Sequence, residues 1–433
     1  VTTRRDSATG AAAFRPALAM TRGDRLRLSI ERPAAGGRMI ARHDGAVVFV
    51  SGAIPGETVE AEIEKVQRGA AWATTRQVLE ASPDRVPGVP DGACGGSVLA
   101  HIKYDRQREL KASIIDDAFR RLGRVTLDVP VAVTASPIDG YRMRARLHVR
   151  GGRIGFFREG THSLCDARLT RQLRDDSTDV LAALERSLSV LERPTVSEIE
   201  WSENVEASDR ALHLDLVADA DPSRLAALTK VDGLTGVTCA PVDHPRTMEL
   251  WGSPLLSDWV RGVQLTRHAR SFFQGNRYLL QTLVHHVVDL IDKSGVLDLY
   301  AGVGLFSVAA SAAGKGAVTA VEGDRFAADD LKRNATGTDI TAIVGPVETF
   351  LERPRATWST VIVDPPRTGM SKEATAGVIA LRAPRLVYVS CDIATLARDS
   401  RLLLDSGYHI VNMRAFDLFP NTAHVETVIA FAR

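Results

Sequence analysis

The pattern that most constrains the fold lies in the last third of the chain, where apolar strands alternate with helical segments. The segment GVLDLYAGVGLFSVAASAAG (295–314) has the pattern of a buried strand, a glycine-rich turn and a helix. Further strands follow in AVTAVEGD, STVIVDPPRTGMS, RLVYVSCD and VETVIAFAR. Strands that are separated by helices predict a parallel, doubly wound sheet. Residues 269–433 are therefore predicted to form a Rossmann-like α/β domain.

The glycine-rich turn indicates a site for a nucleoside cofactor. Gly302 and Gly304 precede the helix, and Glu322 ends the next strand about 20 residues later, where a carboxylate can hydrogen-bond ribose hydroxyls. The turn lacks the third glycine of a dinucleotide fingerprint, which leaves less room for a pyrophosphate. This favours a single nucleoside such as S-adenosylmethionine, and hence a methyltransferase over a dehydrogenase.

Three reactive side chains are expected at the carboxyl edge of this sheet. Asp364 ends a strand and precedes two prolines, which fix the backbone and hold the carboxylate at the mouth of the cleft. Cys391 ends the next strand, and Glu426 lies where the last strand begins. Each has an ordinary structural explanation, since a free cysteine is commonly a small buried hydrophobe. Together they supply a nucleophile, a base and a carboxylate around one methyl donor.

This combination suits methylation at C5 of a pyrimidine. C5 is a poor nucleophile, but addition of a thiolate at C6 converts the ring to an enolate whose C5 can attack a sulfonium methyl group. Cysteine suits the first step because a thiolate is strongly nucleophilic. A carboxylate suits the later removal of the C5 proton, after which the thiol leaves.

The first part of the chain is predicted to be a small β-barrel. DRLRLSIE, RMIARHDGAVVFVSG, ETVEAEIEKVQ and AWATTRQVLEASPDRV read as short alternating strands, and Asp44-Gly45 supplies a tight hairpin turn. Several short strands within roughly 60 residues are typical of a closed barrel of the oligonucleotide-binding kind. We expect a tail at 1–22, the barrel at 23–84 and a central α+β domain at 85–268.

The clearest segment of the central region is YRMRARLHVRGGRIGFFREG. Period-two alternation places its basic side chains on one strand face and its apolar side chains on the other. A solvated sheet face is the ordinary explanation for such a charge run. Arginines spaced two apart nevertheless repel one another unless anions lie among them, so contact with RNA phosphates is predicted. The predicted RNA-binding residues are Arg142, Arg144, Arg146 and Arg150.

Composition narrows the classes of function. The net charge of +1 excludes a globally basic polyanion binder, so any surface for nucleic acid has to be local. No apolar run approaches the ~20 residues of a transmembrane helix, and Arg15 interrupts the apolar part of the N-terminal segment. The four cysteines are scattered and show no disulfide framework, so a reducing cytoplasm is expected.

Several motifs, in this order, resemble those of the RNA 5-methyluridine methyltransferases: SFFQGN, LDLYAGVGLFS, VDPPRTGM, YVSCDIATLARD and FPNTAHVETV. The resemblance covers nearly the whole chain, and the N-terminal barrel resembles the TRAM module that some members use to grip RNA. It implies that Cys391 is the nucleophile and Glu426 the proton-abstracting base. The residues that match the family's S-adenosylmethionine positions are Gln274, Tyr300, Glu322 and Asp364.

The chain departs from the family pattern at several positions. Asp392 replaces the usual asparagine after VSC, and Pro346 stands where an acid is often found. Members with a four-iron cluster carry a CGGC motif, which reads CGGS here and ends in Ser97. Gly88 and Thr170 lie near two other cluster positions, and Cys165 and Cys239 do not restore the spacing. No iron–sulfur cluster and no metal site are therefore expected.

The sequence thus predicts a monomeric, cytoplasmic enzyme that forms 5-methyluridine in structured RNA, on a uridine flipped out of its stack. Ribosomal RNA is favoured over transfer RNA because of the TRAM-like module. One alternative is cytidine C5 methylation, disfavoured because such enzymes place a second cysteine beside the acidic-Pro motif, where this chain has Arg367. The other is a non-catalytic RNA-binding protein with a vestigial cofactor site.

Overall fold

The computed structural model describes residues 20–88, 92–191, 195–242, 247–292, 294–352 and 356–433. Residues 1–19 of the predicted tail lie outside these ranges. The chain divides into two compact units, with the division between Arg85 and Val86. None of the helices within the described ranges is long and apolar enough to span a membrane.

The first unit is a closed five-stranded barrel, as predicted. Its strands pair in the order β1-β2-β3-β5-β4. Asp44 and Gly45 connect β2 to β3 with positive φ angles of 47° and 80°, the backbone that a two-residue hairpin turn with the correct twist requires. The strands are β1 (Arg25–Pro33), β2 (Met39–His43), β3 (Ala46–Ser51), β4 (Thr58–Gln67) and β5 (Ala70–Glu80).

The second unit contains two large sheets and their helices. Its first half comprises α1 (Tyr104–Ala118), β6 (Val133–Thr134), β7 (Arg144–Arg150), β8 (Arg153–Phe157), β9 (Leu164–Asp166), α2 (Asp175–Ser189), β10 (Val196–Glu203), β11 (Arg210–Leu216), β12 (Gly236–Pro241), β13 (Met248–Gly252), β14 (Leu255–Val260) and β15 (Val263–His268). Three short helical turns lie between them, at Phe119–Gly123, Ala167–Thr170 and Pro222–Lys230.

Its second half comprises α3 (Leu280–Asp289), β16 (Val296–Leu299), α4 (Leu305–Ala312), β17 (Val318–Glu322), α5 (Arg325–Ala335), β18 (Ile340–Val344), α6 (Val347–Leu351), β19 (Thr360–Val363), α7 (Lys372–Leu381), β20 (Arg385–Ser390), α8 (Ile393–Asp405), β21 (His409–Phe416) and β22 (Glu426–Ala432). Strands and helices alternate as the sequence predicts for this region.

A seven-stranded sheet occupies the middle of the chain, in the order β13-β12-β11-β10-β7-β8-β9. On β7 the predicted alternation is present: Ala145, Leu147 and Val149 are buried, whereas Arg146 and Arg150 are exposed. The buried face packs into one core with the apolar side of α2. The opposite face therefore presents the polar side chains of β7.

An eight-stranded sheet forms the centre of the second half, in the order β18-β17-β16-β19-β20-β22-β21-β6. The strands from β18 to β20 are parallel, and β22 runs antiparallel to both of its neighbours. The outer strand β6 comes from the segment 85–268, so this segment contributes to both large sheets. The boundary proposed at residue 268 stays a prediction.

One expectation about the cysteines is wrong. Cys94 and Cys165 form a disulfide, with their Cα atoms 5.6 Å apart although 71 residues separate them in sequence. Cys94 pairs with Arg158 in an isolated bridge, and Cys165 lies on β9, which pairs with β8. Strand β8 therefore brings the two cysteines together, a long-range contact that their spacing in sequence does not reveal.

Candidate active site

The candidate site lies at the carboxyl edge of the parallel strands. The strand order reverses direction at β16, which pairs with β17 on one side and β19 on the other. Ligands of open α/β sheets bind in the crevice at such a switch point. Tyr300 and Gly302 follow β16 and Asp364 follows β19, so these three predicted residues flank the crevice.

The glycine turn and Glu322 form a hydrogen-bonded unit. One carboxylate oxygen of Glu322 accepts the Gly302 N–H at 2.7 Å, and the other accepts the Asp324 N–H at 2.6 Å. A Cβ atom at Gly302 would meet nothing within 4 Å, whereas one at Gly304 would lie 2.8 Å from Leu331. Gly302 therefore leaves open space at the turn, and each carboxylate oxygen keeps a lone pair that can accept a ribose hydroxyl.

Tyr300 is held in an unusual backbone conformation. Its φ angle is +61°, in the left-handed region that non-glycine residues rarely adopt. Its hydroxyl is buried and has no hydrogen-bond partner among the described residues, and burial raises its pKa. A buried donor without a protein partner fits a bound polar ligand. These features of the turn and of Tyr300 fit S-adenosylmethionine, whose methyl sulfonium supplies an electrophilic methyl group.

Asp364 lies among other carboxyl groups. The side-chain amide of Gln274 donates to it at 3.5 Å, so two predicted cofactor residues are in contact. Burial raises the pKa of Asp364 well above its usual range, and the neighbouring Glu426 and Asp298 raise it further. Both effects favour the protonated form of the Asp364 carboxyl over the carboxylate.

Cys391 and Glu426 are brought together by the antiparallel pairing of β20 with β22. Ser390 pairs with Thr427, which places the next residue after β20, Cys391, opposite Glu426. Burial raises the pKa of Cys391 to about 12, an effect that Glu426 increases and Arg367 opposes. Burial also raises the pKa of Glu426 to about 8, again opposed by Arg367. The predicted nucleophile and base are thus electrostatic neighbours.

Arg367 is a site residue whose role the sequence analysis missed. Its guanidinium lowers the pKa of Cys391 and so favours the thiolate over the thiol. In the sequence, Arg367 was considered only as the residue that stands where a cytidine enzyme has its second cysteine. Its place directly after Asp364-Pro-Pro, at the same sheet edge as Cys391, is the signal that identifies it as a neighbour of the nucleophile.

The loop that carries Arg367 is attached to α8. Thr395 and Arg398 donate to the carbonyls of Arg367 and Thr368 at 3.4 and 3.3 Å. Asp399, which is buried, accepts the Met370 N–H at 3.1 Å. The helix that follows the nucleophile thus holds the loop that supplies its cation.

The electrostatic reason given for phosphate contacts on β7 does not hold for two of its arginines. Arg144 donates to Glu200 at 2.9 Å, and Arg146 contacts both Glu200 at 3.1 Å and Glu198 at 3.4 Å. These carboxylates lie on the neighbouring strand β10 and already separate the cations. RNA contact by Arg144 and Arg146 stays a prediction.

The other two predicted RNA-binding arginines have no carboxylate partner among the described residues. Arg142 donates to the side chain of Gln172 at 2.6 Å and lies over the rings of Phe156 and Phe419. Arg150 is exposed and lies over the ring of Phe157. The four arginines of the stripe thus lie in different environments.

The residues at the family's cluster positions do not fit an iron–sulfur cluster. The sulfur atoms of Cys94 and Cys165 are bonded to each other. Ser97 donates to the Cys94 carbonyl, and Thr170 donates to the Ala167 carbonyl at 2.6 Å. Within the described ranges no group of three or more His, Cys, Asp or Glu side chains is arranged to hold a metal.

Comparison with known proteins identifies two family models. The TRAM domain model matches residues 20–75, which form most of the barrel. The model of the tRNA (uracil-5-)-methyltransferases matches residues 351–433, which include Asp364, Cys391 and Glu426.

The similarity to whole proteins extends over nearly the full chain. The 23S rRNA (uracil(1939)-C(5))-methyltransferases RlmD of Alkalilimnicola ehrlichii and Pseudomonas entomophila are 34% and 31% identical, over 92% and 94% of this chain and 94% of each relative. The tRNA (uracil-54, C5)-methyltransferase of Pyrococcus abyssi, solved with S-adenosyl-L-homocysteine, shares the fold with a TM-score of 0.75 at 24% identity, over 94% of this chain and 99% of that one. The chain therefore belongs to the RNA (uracil-C5)-methyltransferase family and carries an N-terminal TRAM domain.

Proposed function

We propose that this protein converts a uridine of structured RNA to 5-methyluridine through a covalent adduct between Cys391 and C6 of the base. The observation that carries this proposal is the register between β20 and β22, which places Cys391 opposite Glu426 at the edge that also holds Asp364. A nucleophile and a buried carboxyl on opposite strands can act on the two adjacent carbons of one pyrimidine ring.

The protonation states of the side chains in the site follow from their pKa values. In the free protein at neutral pH the thiol of Cys391 keeps its proton, because burial outweighs the effect of Arg367. As the Sγ–C6 bond forms, the thiol gives its proton to water and the electron pair of the C5–C6 double bond moves into an enolate. C5 of the enolate then takes the methyl group of the sulfonium, and the thioether is released. Glu426, which is mostly protonated at neutral pH because its pKa is about 8, gives its own proton to water before it acts as the base. After methylation its carboxylate accepts the C5 proton, the double bond re-forms and the sulfur leaves. A pKa of about 8 makes Glu426 a stronger base than an ordinary glutamate.

We favour 23S rRNA as the substrate over transfer RNA. Two of the similar proteins carry names that specify 23S rRNA, whereas the Pyrococcus protein carries one that specifies tRNA. Arg367 stands where a cytidine enzyme would need its second cysteine, which favours uridine. We further propose that the protein acts as a monomer in the cytoplasm and carries no iron–sulfur cluster. The residues proposed to bind RNA are Arg142, Arg144, Arg146 and Arg150. The residues proposed to hold S-adenosylmethionine are Gln274, Tyr300, Gly302, Glu322 and Asp364.

Replacing the nucleophile and the base should have opposite effects on the covalent complex. Cys391→Ala should form no adduct with RNA and transfer no methyl group, yet bind S-adenosylmethionine in calorimetry. Glu426→Gln should add to the base and methylate it but fail to remove the C5 proton, so a denaturant-resistant band should accumulate on a gel. The RNA for both assays is 23S rRNA from a strain that lacks the gene.

Two results would contradict the mechanism in different ways. Near-normal turnover by Cys391→Ala excludes the covalent route. A Glu426→Gln protein that turns over without an accumulated adduct keeps the nucleophile but moves the base elsewhere, with Asp364 as the next candidate. Mapping 5-methyluridine in RNA from the deletion strain and its parent identifies the modified uridine.

A further inference from the structure

Four aromatic and cationic side chains form a cluster on the polar face of the seven-stranded sheet, apart from the residues of the candidate active site. The rings of His148 on β7 and Phe157 on β8 stack with centroids 3.6 Å apart and planes within 4°. His162 meets Phe157 edge-on, with centroids 5.3 Å apart. The guanidinium of Arg150 lies 5.6 Å from the centre of the same ring. We call these four residues the Phe157 cluster.

Arg150 differs in its charge environment from the other exposed arginine of β7. Arg146 pairs with two carboxylates, as described above. Within the part of the chain that the structure describes, Arg150 makes no ion pair, and its guanidinium donates to the Val149 carbonyl at 2.8 Å. Arg150 therefore keeps a positive charge that an anionic ligand can neutralise.

A cavity adjoins the cluster. It has a volume of about 540 Å³, and its lining includes Arg150, Arg153, His162 and Ser163. This volume lies within the ~300–1,000 Å³ of pockets that hold small organic molecules. Its lining offers cations, an imidazole and a hydroxyl, which match the phosphate and base of a nucleotide.

Stabilisation of the sheet explains only part of this arrangement. Stacking of His148 on Phe157 is the kind of cross-strand pair that strengthens a sheet. His162 and Arg150, in contrast, are exposed and contribute little to the core. The exposed imidazole of His162 and the exposed guanidinium of Arg150 leave planar surfaces available to a further group.

We propose that the Phe157 cluster binds an unpaired nucleotide of the RNA substrate, with the base stacked against His162 and Phe157 and the phosphate held by Arg150. This inference rests on the proposed function, because it assigns part of the RNA footprint. Single-stranded RNA is recognised by stacking of bases on aromatic and guanidinium planes together with cationic contacts to the backbone. The cluster provides both within one site.

The test compares Arg150→Gln and Phe157→Leu with the control Arg401→Gln, whose cation is paired with Asp405 on α8, outside the cluster and outside the proposed RNA-binding residues. Binding of a fluorescein-labelled oligouridylate is measured by anisotropy across a salt series. Arg150→Gln should flatten the slope of log Kd against log salt by about 0.7, the value for one phosphate contact on a single strand. Phe157→Leu should weaken binding about fivefold or more at an unchanged slope, because it removes stacking but no charge.

Methylation kinetics on 23S rRNA from the deletion strain provide the second measurement. Both variants should raise the KM for RNA and leave kcat at saturating RNA and the Kd of S-adenosylmethionine unchanged. Arg150 is on the surface, so Arg150→Gln tests the proposal even if Phe157→Leu lowers the melting temperature.

The outcomes separate this inference from the proposed function. Wild-type affinity and wild-type salt slope in both variants overturn the cluster as an RNA site. An equal loss of affinity in Arg401→Gln also overturns it, because the effect is then one of net charge alone. A wild-type protein that binds oligouridylate through the cluster but forms no 5-methyluridine refutes the proposed function and leaves the binding site in place.

Discussion

At the scale of single residues, Asp298 is a buried acid that no proposed step uses. It lies on β16 and is fully buried, and Ser307 donates to one of its oxygens at 2.5 Å, while the other oxygen has no hydrogen-bond partner in the part of the chain that the structure describes. Burial raises its pKa to about 7, an effect that the Ser307 hydrogen bond opposes. The folded protein therefore binds this proton more tightly than the unfolded chain does.

The pH dependence of stability should report this residue. The stabilising contribution of the Asp298 proton is complete below pH ~4 and is lost as the pH rises through about 7. Asp298→Asn removes the titrating carboxyl and with it this pH-dependent loss of stability. The variant should therefore melt at a higher temperature than the wild type at pH 8 and at a similar temperature at pH 4. The gain is at most about 4 kcal/mol, the energy of a shift of roughly three pKa units. Equal melting temperatures at pH 8 would exclude the raised pKa.

A second prediction concerns the positions at which some family members bind an iron–sulfur cluster. Cysteine thiolates hold iron–sulfur clusters, and Gly88, Ser97 and Thr170 supply none. Protein purified without oxygen should therefore be colourless and contain no stoichiometric iron, yet transfer methyl groups. The check is an iron assay with an absorbance spectrum. Stoichiometric iron with a broad band at the blue edge of the visible would contradict the prediction.

Sequence reasoning at this scale is strongest where motif chemistry is local. Cys391, Glu426 and Asp364 were predicted to share an edge, and the structure makes them electrostatic neighbours. The carboxylates that pair with Arg144 and Arg146 were not predicted, because they come from a strand more than 50 residues away. A charge pattern on one strand does not reveal which strand lies beside it.

At the scale of elements, the contact between α8 and the loop 367–370 organises the site. Asp399 accepts hydrogen bonds from Tyr388 at 2.8 Å, Met370 at 3.1 Å and Arg398 at 2.9 Å. A Cβ atom at Gly369 would lie 2.9 Å from the same carboxylate, and the φ angle there is +75°. The loop therefore lies against α8 with no room for a side chain at Gly369.

Asp399→Asn should displace the loop and with it Arg367. The amide has one accepting oxygen where the carboxylate has two, so it cannot accept all three hydrogen bonds. We therefore expect kcat to fall about tenfold or more while the Kd of S-adenosylmethionine changes little. Because Arg367 favours the thiolate, the pH at which iodoacetamide alkylates Cys391 should also rise. The control is Arg401→Gln, which breaks an exposed ion pair with Asp405 on the same helix. A wild-type alkylation profile in Asp399→Asn would exclude this positioning role.

The parallel strands and their helices were predictable from apolar runs and turns, but the direction of β22 was not. Hydrophobic pattern distinguishes a strand from a helix and says nothing about which way a strand runs. The loop of residues 417–425 is too short for a crossover helix, so β21 and β22 pair as an antiparallel hairpin. Strand β6 has only two residues, which is too short for an alternating pattern to show in the sequence.

At the scale of the whole molecule, the chain separates into the barrel unit and the larger second unit. The barrel was predictable because its strands are local and joined by recognisable turns. Glu57 and Arg85 form a salt bridge of 2.6 Å within the first unit, with the Glu57 side chain fully buried. Arg85, the last residue of the first unit, is thus bound to the rest of that unit by this salt bridge.

A protein that starts at Val86 should retain the cofactor site. Every residue proposed to hold S-adenosylmethionine lies in the second unit, so calorimetry should give a Kd within about twofold of the full chain. Its affinity for 23S rRNA should fall, because the TRAM domain is removed. A shortened protein that is folded by circular dichroism but has lost cofactor binding would show that the cofactor site depends on the first unit.

The pairing of β20 with β22 also determines which changes of chain length the site tolerates. The 34 residues between Cys391 and Glu426 include α8 and β21, yet the two residues are positioned by the ladder between their own strands. Residues inserted in the turn between α8 and β21 leave that ladder intact. A single residue inserted within β22 instead shifts the alternation of side chains and turns Glu426 to the opposite face of the sheet. Length variation is therefore compatible with catalysis in the connecting segments and incompatible with it in the final strand.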